Sequence, residues 1–304
     1  MRKHIYFVCV GVLMCLLCGC GEKKADTVQE SEAVVEQEEL AEEMEVSDVP
    51  DVKPKEPQIL KFVDAYGAPY QVEIDPEVKR HNYDLEAFVH SGDSLAYQDA
   101  RYSYRLGIDV SHYQGEIDWQ KVKASGIAFV IIRLGFRGYG AEGVMKADSK
   151  FEQNLEGARA VGLDVGVYFF SQAINENEAV EEAEFVLEHL NGRDLQLPIV
   201  YDPETILHDE ARTDDVTGEQ FTKNTIAFCE RVEEAGYKPM VYCNMLWQAY
   251  ELDLKELSDY PIWYADYEPY PQTPYDFAYW QYSSEGKVDG IQGNVDMNIQ
   301  LIER

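Results

Sequence analysis

Basic residues are scarce. The 304-residue chain carries 26 Lys and Arg against 57 Asp and Glu, a formal net charge of −31. Nucleic acid binding needs a basic stripe to neutralise phosphates, and with none present nucleic acid is excluded as a partner. Cysteine is almost missing from the body of the chain: Cys9, Cys15, Cys18 and Cys20 crowd the start, leaving Cys229 and Cys243. That spacing fits no metal site. Cys229 falls on a helical stretch and Cys243 on the strand after it; they form a disulfide if their Cβ atoms approach, and otherwise, as is expected here, two buried free thiols. Long hydrophobic runs are missing too. Ile5 to Leu17 is apolar, but it falls short of the ~20 residues of a membrane helix and has the length of a secretory h-region. No Gly-rich phosphate loop follows the first strand of the foldable region, which argues against a doubly wound nucleotide-binding sheet. No metal-ligand cluster is visible, and neither metal nor cofactor is expected.

What is present divides the chain into four parts. A basic Met-Arg-Lys-His and the apolar run close on Leu17-Cys18-Gly19-Cys20, which resembles the lipobox of bacterial lipoproteins. That resemblance makes residues 1–20 a signal peptide and Cys20 the lipidated residue. The expected location is the outer side of the cytoplasmic membrane, facing the cell wall. Residues 21–57 are dense in Glu, poor in aromatics and end among Pro50, Pro54 and Pro57. Such a segment cannot bury enough apolar surface to order itself, and it reads as a disordered tether. Residues 58–105 return to foldable composition as a small β-rich extension, with a hairpin turning at Tyr66-Gly67-Ala68-Pro69. Residues 106–304 form the main domain.

From Gly107 the chain alternates strand and helix. Three helices end on Gly126, Gly162 and Gly236 with a strand close behind, the punctuation of βα units around a parallel sheet. After Asn244 helical periodicity fades, and PIWYADY, AYWQYSS and NVDMNI read as three plain strands. Five βα units and three strands predict an α/β fold, an irregular TIM-like (β/α)5(β)3 barrel. It is compact beside the ~250 residues typical of the regular form.

Leu197 to Glu204, LPIVYDPE, is the stretch around which this domain is organised. It is a short apolar strand ending in Asp202 and Glu204, two residues apart and so on one face, roughly 7 Å apart along the strand. Two carboxyl groups aimed into one cleft are driven to different pKa values, and glycosidic cleavage asks for that pairing of proton donor and anion. Barrel enzymes work at the C-terminal ends of their strands. Asp109, Asp266 and Asp296 also fall at or near strand ends. Tyr168, Tyr242, Trp263, Tyr264 and Gln281 join Asp266 as candidate substrate-binding residues, since 21 Tyr and 4 Trp provide surfaces on which sugars stack.

GIDVSHYQGEIDW, GVYFFSQA, PIVYDPE, PIWYADY and YWQYSSEGKVDGIQGNVDMN, in this order, resemble the family 25 glycoside hydrolases, the Chalaropsis-type lysozymes. The resemblance runs from about Gly107 to the C-terminus. It implies the same barrel and cleavage of the β-1,4 bond between N-acetylmuramic acid and N-acetylglucosamine in peptidoglycan. It also implies that Glu204 is the proton donor and that Asp202, Asp109 and Asp296 complete the acidic site. Pro203 departs from the pattern, where an apolar or aromatic residue commonly stands between the two acids. The expected partners are peptidoglycan glycan strands and, through Cys20, the membrane. With no sign of an interface, a monomer is the default. The rival reading, from another class, is a wall-binding lipoprotein without turnover.

Overall fold

A computed structural model describes residues 56–304. The leader, the lipidation candidate Cys20 and the acidic segment up to Lys55 lie outside the described residues.

The extension opens with the expected hairpin, β1 (Ile59–Val63) against β2 (Pro69–Glu73), paired from Ile59↔Glu73 to Val63↔Pro69. Its turn closes because Asp64 Oδ1 accepts from the N–H groups of Tyr66 and Ala68, both at 2.9 Å, and Gly67 takes φ 78°. A second hairpin, β3 (Phe88–Ser91) and β4 (Ser94–Tyr97), follows. The extension is bonded to the main domain along its length. Val63 N–H donates to Gln272 Oε1 (2.8 Å), Asp75 N–H to the Tyr275 hydroxyl (2.9 Å) and Tyr83 OH to the Phe277 carbonyl (2.7 Å). Phe88 meets Trp280 edge to face at 5.1 Å.

The main domain runs β5 (Tyr102–Val110), α1 (Trp119–Ala124), β6 (Phe129–Arg137), β7 (Met145–Ala147), α2 (Phe151–Ala160), β8 (Asp164–Ser171) and α3 (Glu176–Leu190). It continues with β9 (Ile199–Pro203), α4 (Gly218–Glu234), β10 (Pro239–Asn244), α5 (Met245–Tyr250), β11 (Ile262–Ala265), β12 (Tyr279–Gly286) and β13 (Val295–Glu303). The strands order as β5-β13-β12-β11-β10-β9-β8-β6, and β5 pairs with β6 to close eight strands into a barrel. All neighbours are parallel except β13, which is antiparallel to both β12 and β5. The five βα units and three plain strands are therefore present. Asp118, Asn175 and Thr217 cap α1, α3 and α4 by accepting an N–H from the first turn. The one-turn helix α5, capped by Asn244, is too short for periodicity to reveal.

Alternation of side chains divides the buried residues into two layers. One set faces the helices. The other fills the barrel interior: Phe129, Ile131, Val200, Met240, Trp263 and Tyr279 pack together there and plug its lower part. Gly107 is what lets the Phe129 ring lie in the lumen, since any Cβ at that position would overlap the ring. Cys229 and Cys243 are buried free thiols on the helix-facing side of the sheet.

Candidate active site

The plug stops short of the C-terminal ends of the strands, and the next lumen-facing positions are polar. Counting in twos from the plug, Ile131 leads to Arg133, Val200 to Asp202 and Glu204, Met240 to Tyr242, and Tyr279 to Gln281. Asp109 on β5 and Asp296 on β13 sit opposite each other in the antiparallel register, and Asn298 follows two residues on. The four acids reach the same end of the lumen, and the pKa of each is shifted by at least one of the others.

Asp109 is buried but is held by two side-chain amide donors. Its Oδ2 accepts from Gln281 Nε2 (2.9 Å) and Asn298 Nδ2 (2.8 Å). Both amides are themselves oriented: Gln281 Oε1 accepts from the hydroxyls of Tyr242 (3.1 Å) and Tyr267 (2.9 Å), and Asn298 Oδ1 accepts from Trp263 Nε1 (2.7 Å). Burial pushes Asp109 up to about 6, with the two amide donors opposing it. Glu204 is only partly buried and lines a groove leading away from the barrel mouth. Desolvation of its carboxyl and the charge of Asp109 push it up to about 7, while the Tyr242 hydroxyl pulls it down. Burial, then the charges of Asp109 and Glu204, push Asp296 up to about 9. Asp202 is driven well above the usual carboxylate range by burial, then by Glu204 and Asp109, with the Arg133 guanidinium opposing. Its Oδ1 is buried and has no hydrogen-bond partner among the described residues. Four acids in one desolvated space cannot all ionise at neutral pH. The group is built to hold protons.

The surroundings hold these groups in place. Gln172 Nε2 donates to the Glu204 carbonyl (2.8 Å), and Gln172 Oε1 accepts from Thr213 Oγ1 (2.9 Å), pinning the chain just beyond β9. Arg212 clamps Glu178 of α3 with two bonds of 2.8 Å, securing the far end of the same loop. Pro203 is the last residue of β9, past the final β9–β10 pair at Tyr201↔Val241, where its missing N–H costs least. On the other side, Arg133 Nε donates to the buried Asp148 (2.8 Å). Burial raises Asp148, but N–H donors from Lys150 and His112 and the Arg133 charge hold it below its ordinary value.

Of the expected substrate-binding residues, Tyr264 lies elsewhere, and Asp266 lines the groove that opens at Glu204 rather than joining the acid cluster. Tyr264 follows the lumen-facing Trp263, so alternation turns it outward into the helix-side core, where its hydroxyl donates to Asp266 Oδ2 (2.7 Å). Asp266 is occupied in shaping the loop after β11: it accepts from the N–H groups of Glu268 (3.1 Å) and Gln272 (2.8 Å). Trp263 belongs to the plug beneath the acids and is 1% exposed, a floor rather than a stacking surface. Tyr168 stands beside it, edge to face with the indole at 6.1 Å. Tyr242 and Gln281 are at the site. Arg133, Tyr267, Asn298 and Gln172 were not picked out from sequence, although the first three sit at lumen-parity positions that counting in twos would have flagged. Among the described residues no cluster of His, Cys and carboxylate side chains is arranged to hold a metal ion.

A closed eight-strand barrel with acids gathered at its C-terminal mouth has the layout of a barrel enzyme, and carboxyl groups driven to different pKa values are suited to glycoside hydrolysis. The sequence pattern of the glycosyl hydrolases family 25 matches residues 108–291, and the chain belongs to that family. It is 28% identical over 193 residues to the autolytic lysozyme of Clostridium acetobutylicum, covering 63% of this chain and 54% of that protein. With lysozyme M1 of Streptomyces globisporus it shares 29% over 210 residues, 63% of this chain and 66% of the other. The chain thus spans about half the length of the clostridial relative. Among solved structures, the spore cortex lytic enzyme SleM of Clostridium perfringens superposes with TM-score 0.56 at 25% identity, over 65% of this chain and 67% of that one. A family 25 glycosyl hydrolase of Bacillus anthracis shares the fold, with TM-score 0.55 at 23% identity, over 69% of this chain and 94% of its own.

Proposed function

We propose that this protein hydrolyses peptidoglycan as an N-acetylmuramidase, cleaving the β-1,4 bond on the N-acetylmuramic acid side. The observation that carries this reading is the pairing of Glu204, proton-bearing near neutrality and open to a groove, with Asp109, ionised from about pH 6 and held by two amide donors. Glu204 protonates the leaving glycosidic oxygen and afterwards takes a proton from water. The Asp109 anion supports the positive charge that develops at the anomeric carbon. The free Oδ1 of Asp202 is suited to accept the N–H of a 2-acetamido group, and that hydrogen bond favours the ionised form of Asp202. The acetamido carbonyl oxygen is thereby aimed at the anomeric carbon, giving substrate-assisted retention. The lysozymes among the relatives support the choice of substrate. Lipidation at Cys20 would hold the enzyme on the outer face of the membrane, a placement suited to remodelling the cell's own wall, and the protein is proposed to act as a monomer.

The test is digestion of purified peptidoglycan by the protein and by its Glu204→Gln form, with new reducing ends identified by mass spectrometry. Ends in N-acetylmuramic acid from the first, and a loss of about 10² to 10⁴ in rate for the second, are expected. Ends in N-acetylglucosamine would refute the bond assignment, and an inverted anomer would refute assisted retention. Binding without any release would refute hydrolysis and leave a wall-binding protein.

A further inference from the structure

The groove that opens at Glu204 does not end at the barrel. It has a volume of about 550 Å³, in the range of small-ligand sites. Glu204, Tyr242 and Tyr267 line one end, and Asp64, Tyr66 and Tyr70 of the β1–β2 hairpin line the other. The hairpin lies wholly outside residues 108–291, the segment matching the family pattern. The hairpin thus gives the cleft a wall from outside that segment.

The wall is built rather than draped. Gln272 accepts the Val63 N–H (2.8 Å) and donates to the Val63 carbonyl (2.9 Å), while its own N–H and Nε2 donate to Asp266 at 2.8 and 3.2 Å. The hairpin is therefore tied to the end of β11 through two residues. Tyr70 stacks on Phe62 with centroids 5.5 Å apart, and Tyr250 of α5 donates its hydroxyl to the Gln71 carbonyl (3.0 Å). On this fixed frame the apolar surfaces left open face the groove: Tyr66 is 77% exposed, Leu207 61% and Tyr250 51%. No Lys, Arg or His lines it. Exposed tyrosine faces with polar rims suit the apolar C–H faces and hydroxyl edges of pyranose rings. The absence of any cation, with Asp64 and Glu251 present, disfavours a ligand carrying carboxylates.

We propose that the β1–β2 hairpin, α5 and the Thr205–Leu207 loop form an additional subsite for neutral 2-acetamido sugar rings of the glycan strand, continuous with the acid-lined mouth. The inference rests on the glycan-hydrolase reading above and extends it to longer strands.

The experiment measures binding, so it does not depend on turnover. In the Glu204→Gln background, the affinities of a β-1,4-linked N-acetylglucosamine hexamer and dimer are compared by calorimetry. The hexamer is expected to bind more tightly. Tyr66→Ala is expected to weaken the hexamer by about two- to tenfold, the worth of one aromatic contact, and to shrink the hexamer-to-dimer ratio. Tyr104→Ala, on an exposed residue at the opposite end of β5 from Asp109, should leave the ratio as it was. An unchanged hexamer affinity in Tyr66→Ala overturns the proposal. So does an equal loss for hexamer and dimer, or the same loss in Tyr104→Ala. Failure of the wild-type protein to release reducing ends would refute hydrolysis while leaving this comparison intact.

Discussion

Gln281→Met should shift the pH optimum upward and lower its height. Gln281 supplies one of the two amide donors that keep Asp109 ionisable in a buried site, at 2.9 Å. A hydrogen bond to a charged group is worth roughly 1.5–3 kcal/mol, and a pKa unit is about 1.4 kcal/mol, so its loss raises Asp109 by about one to two units. Activity requires Asp109 ionised and Glu204 protonated. With the two at about 6 and about 7, the competent fraction peaks near 0.6 at about pH 6.5. Moving Asp109 to about 7–8 lowers that peak about two- to tenfold and shifts it to about pH 7–7.5. Methionine preserves side-chain length, and Tyr242, freed from Gln281, still has Glu204 within its influence. The assay is kcat/KM for release of reducing ends from solubilised glycan between pH 5 and 9, because that ratio reports the free enzyme's groups. A lower rate at an unchanged optimum, or an optimum moved towards acid, would refute the account of Asp109.

Asp148→Asn should remove the carboxylate that fixes Arg133 and, with it, the one cation opposing the rise of Asp202. The measurement is kcat/KM at the optimum, expected to fall by more than the change in thermal stability accounts for. Tyr264→Phe removes only the hydroxyl bond to Asp266 on the helix side of the sheet, so kcat and KM should stay as they are while stability falls by about 1 kcal/mol, read from urea unfolding. Stability itself should fall as pH rises from about 4 to 9: Asp109, Glu204 and Asp296 bind protons more tightly folded than unfolded, so their contribution is complete below about pH 4 and is lost through about 6, 7 and 9. Asp296→Asn should flatten the upper part of that decline in a series of melting temperatures.

Much of the barrel was legible because its signals are local. A helix cap, a terminal glycine and a short β-branched run each act within a few residues, and Asp118, Gly126, Phe129 and the strand beginning there follow one another closely. The short helix α5 was not legible, because six residues offer no period and its hold on the chain comes from packing and the Asn244 cap. The site was legible to the extent that two-residue alternation was followed through. Asp202 and Glu204 share a face because they are two apart. By the same count Trp263 and Tyr264 could not both face the lumen, and choosing Trp263 as plug would have sent Tyr264 outward. Continuing from Ile131, Ala265 and Asp296 reaches Arg133, Tyr267 and Asn298.

What no count within one strand could show is the meeting of distant segments. Asp109 and Asn298 are 189 residues apart in sequence, and only the antiparallel closure of β13 on β5 makes one the donor to the other. That closure also explains why the link from β12 to β13 needs no crossover helix. Because β13 runs against both neighbours, it brings Asp296 to the same end of the barrel as Asp109 from the start of a strand rather than from its end. The rule that functional groups follow parallel strands at their C-terminal ends is thus kept for β5, β9 and β10 and inverted for β13, and geometry within the lumen is what makes the two cases equivalent. The hairpin extends the same logic outward. It reaches the site from the far N-terminal side of the described chain through Gln272 and Asp266, so Asp266, which lines the groove, is also the joint between the hairpin and the barrel.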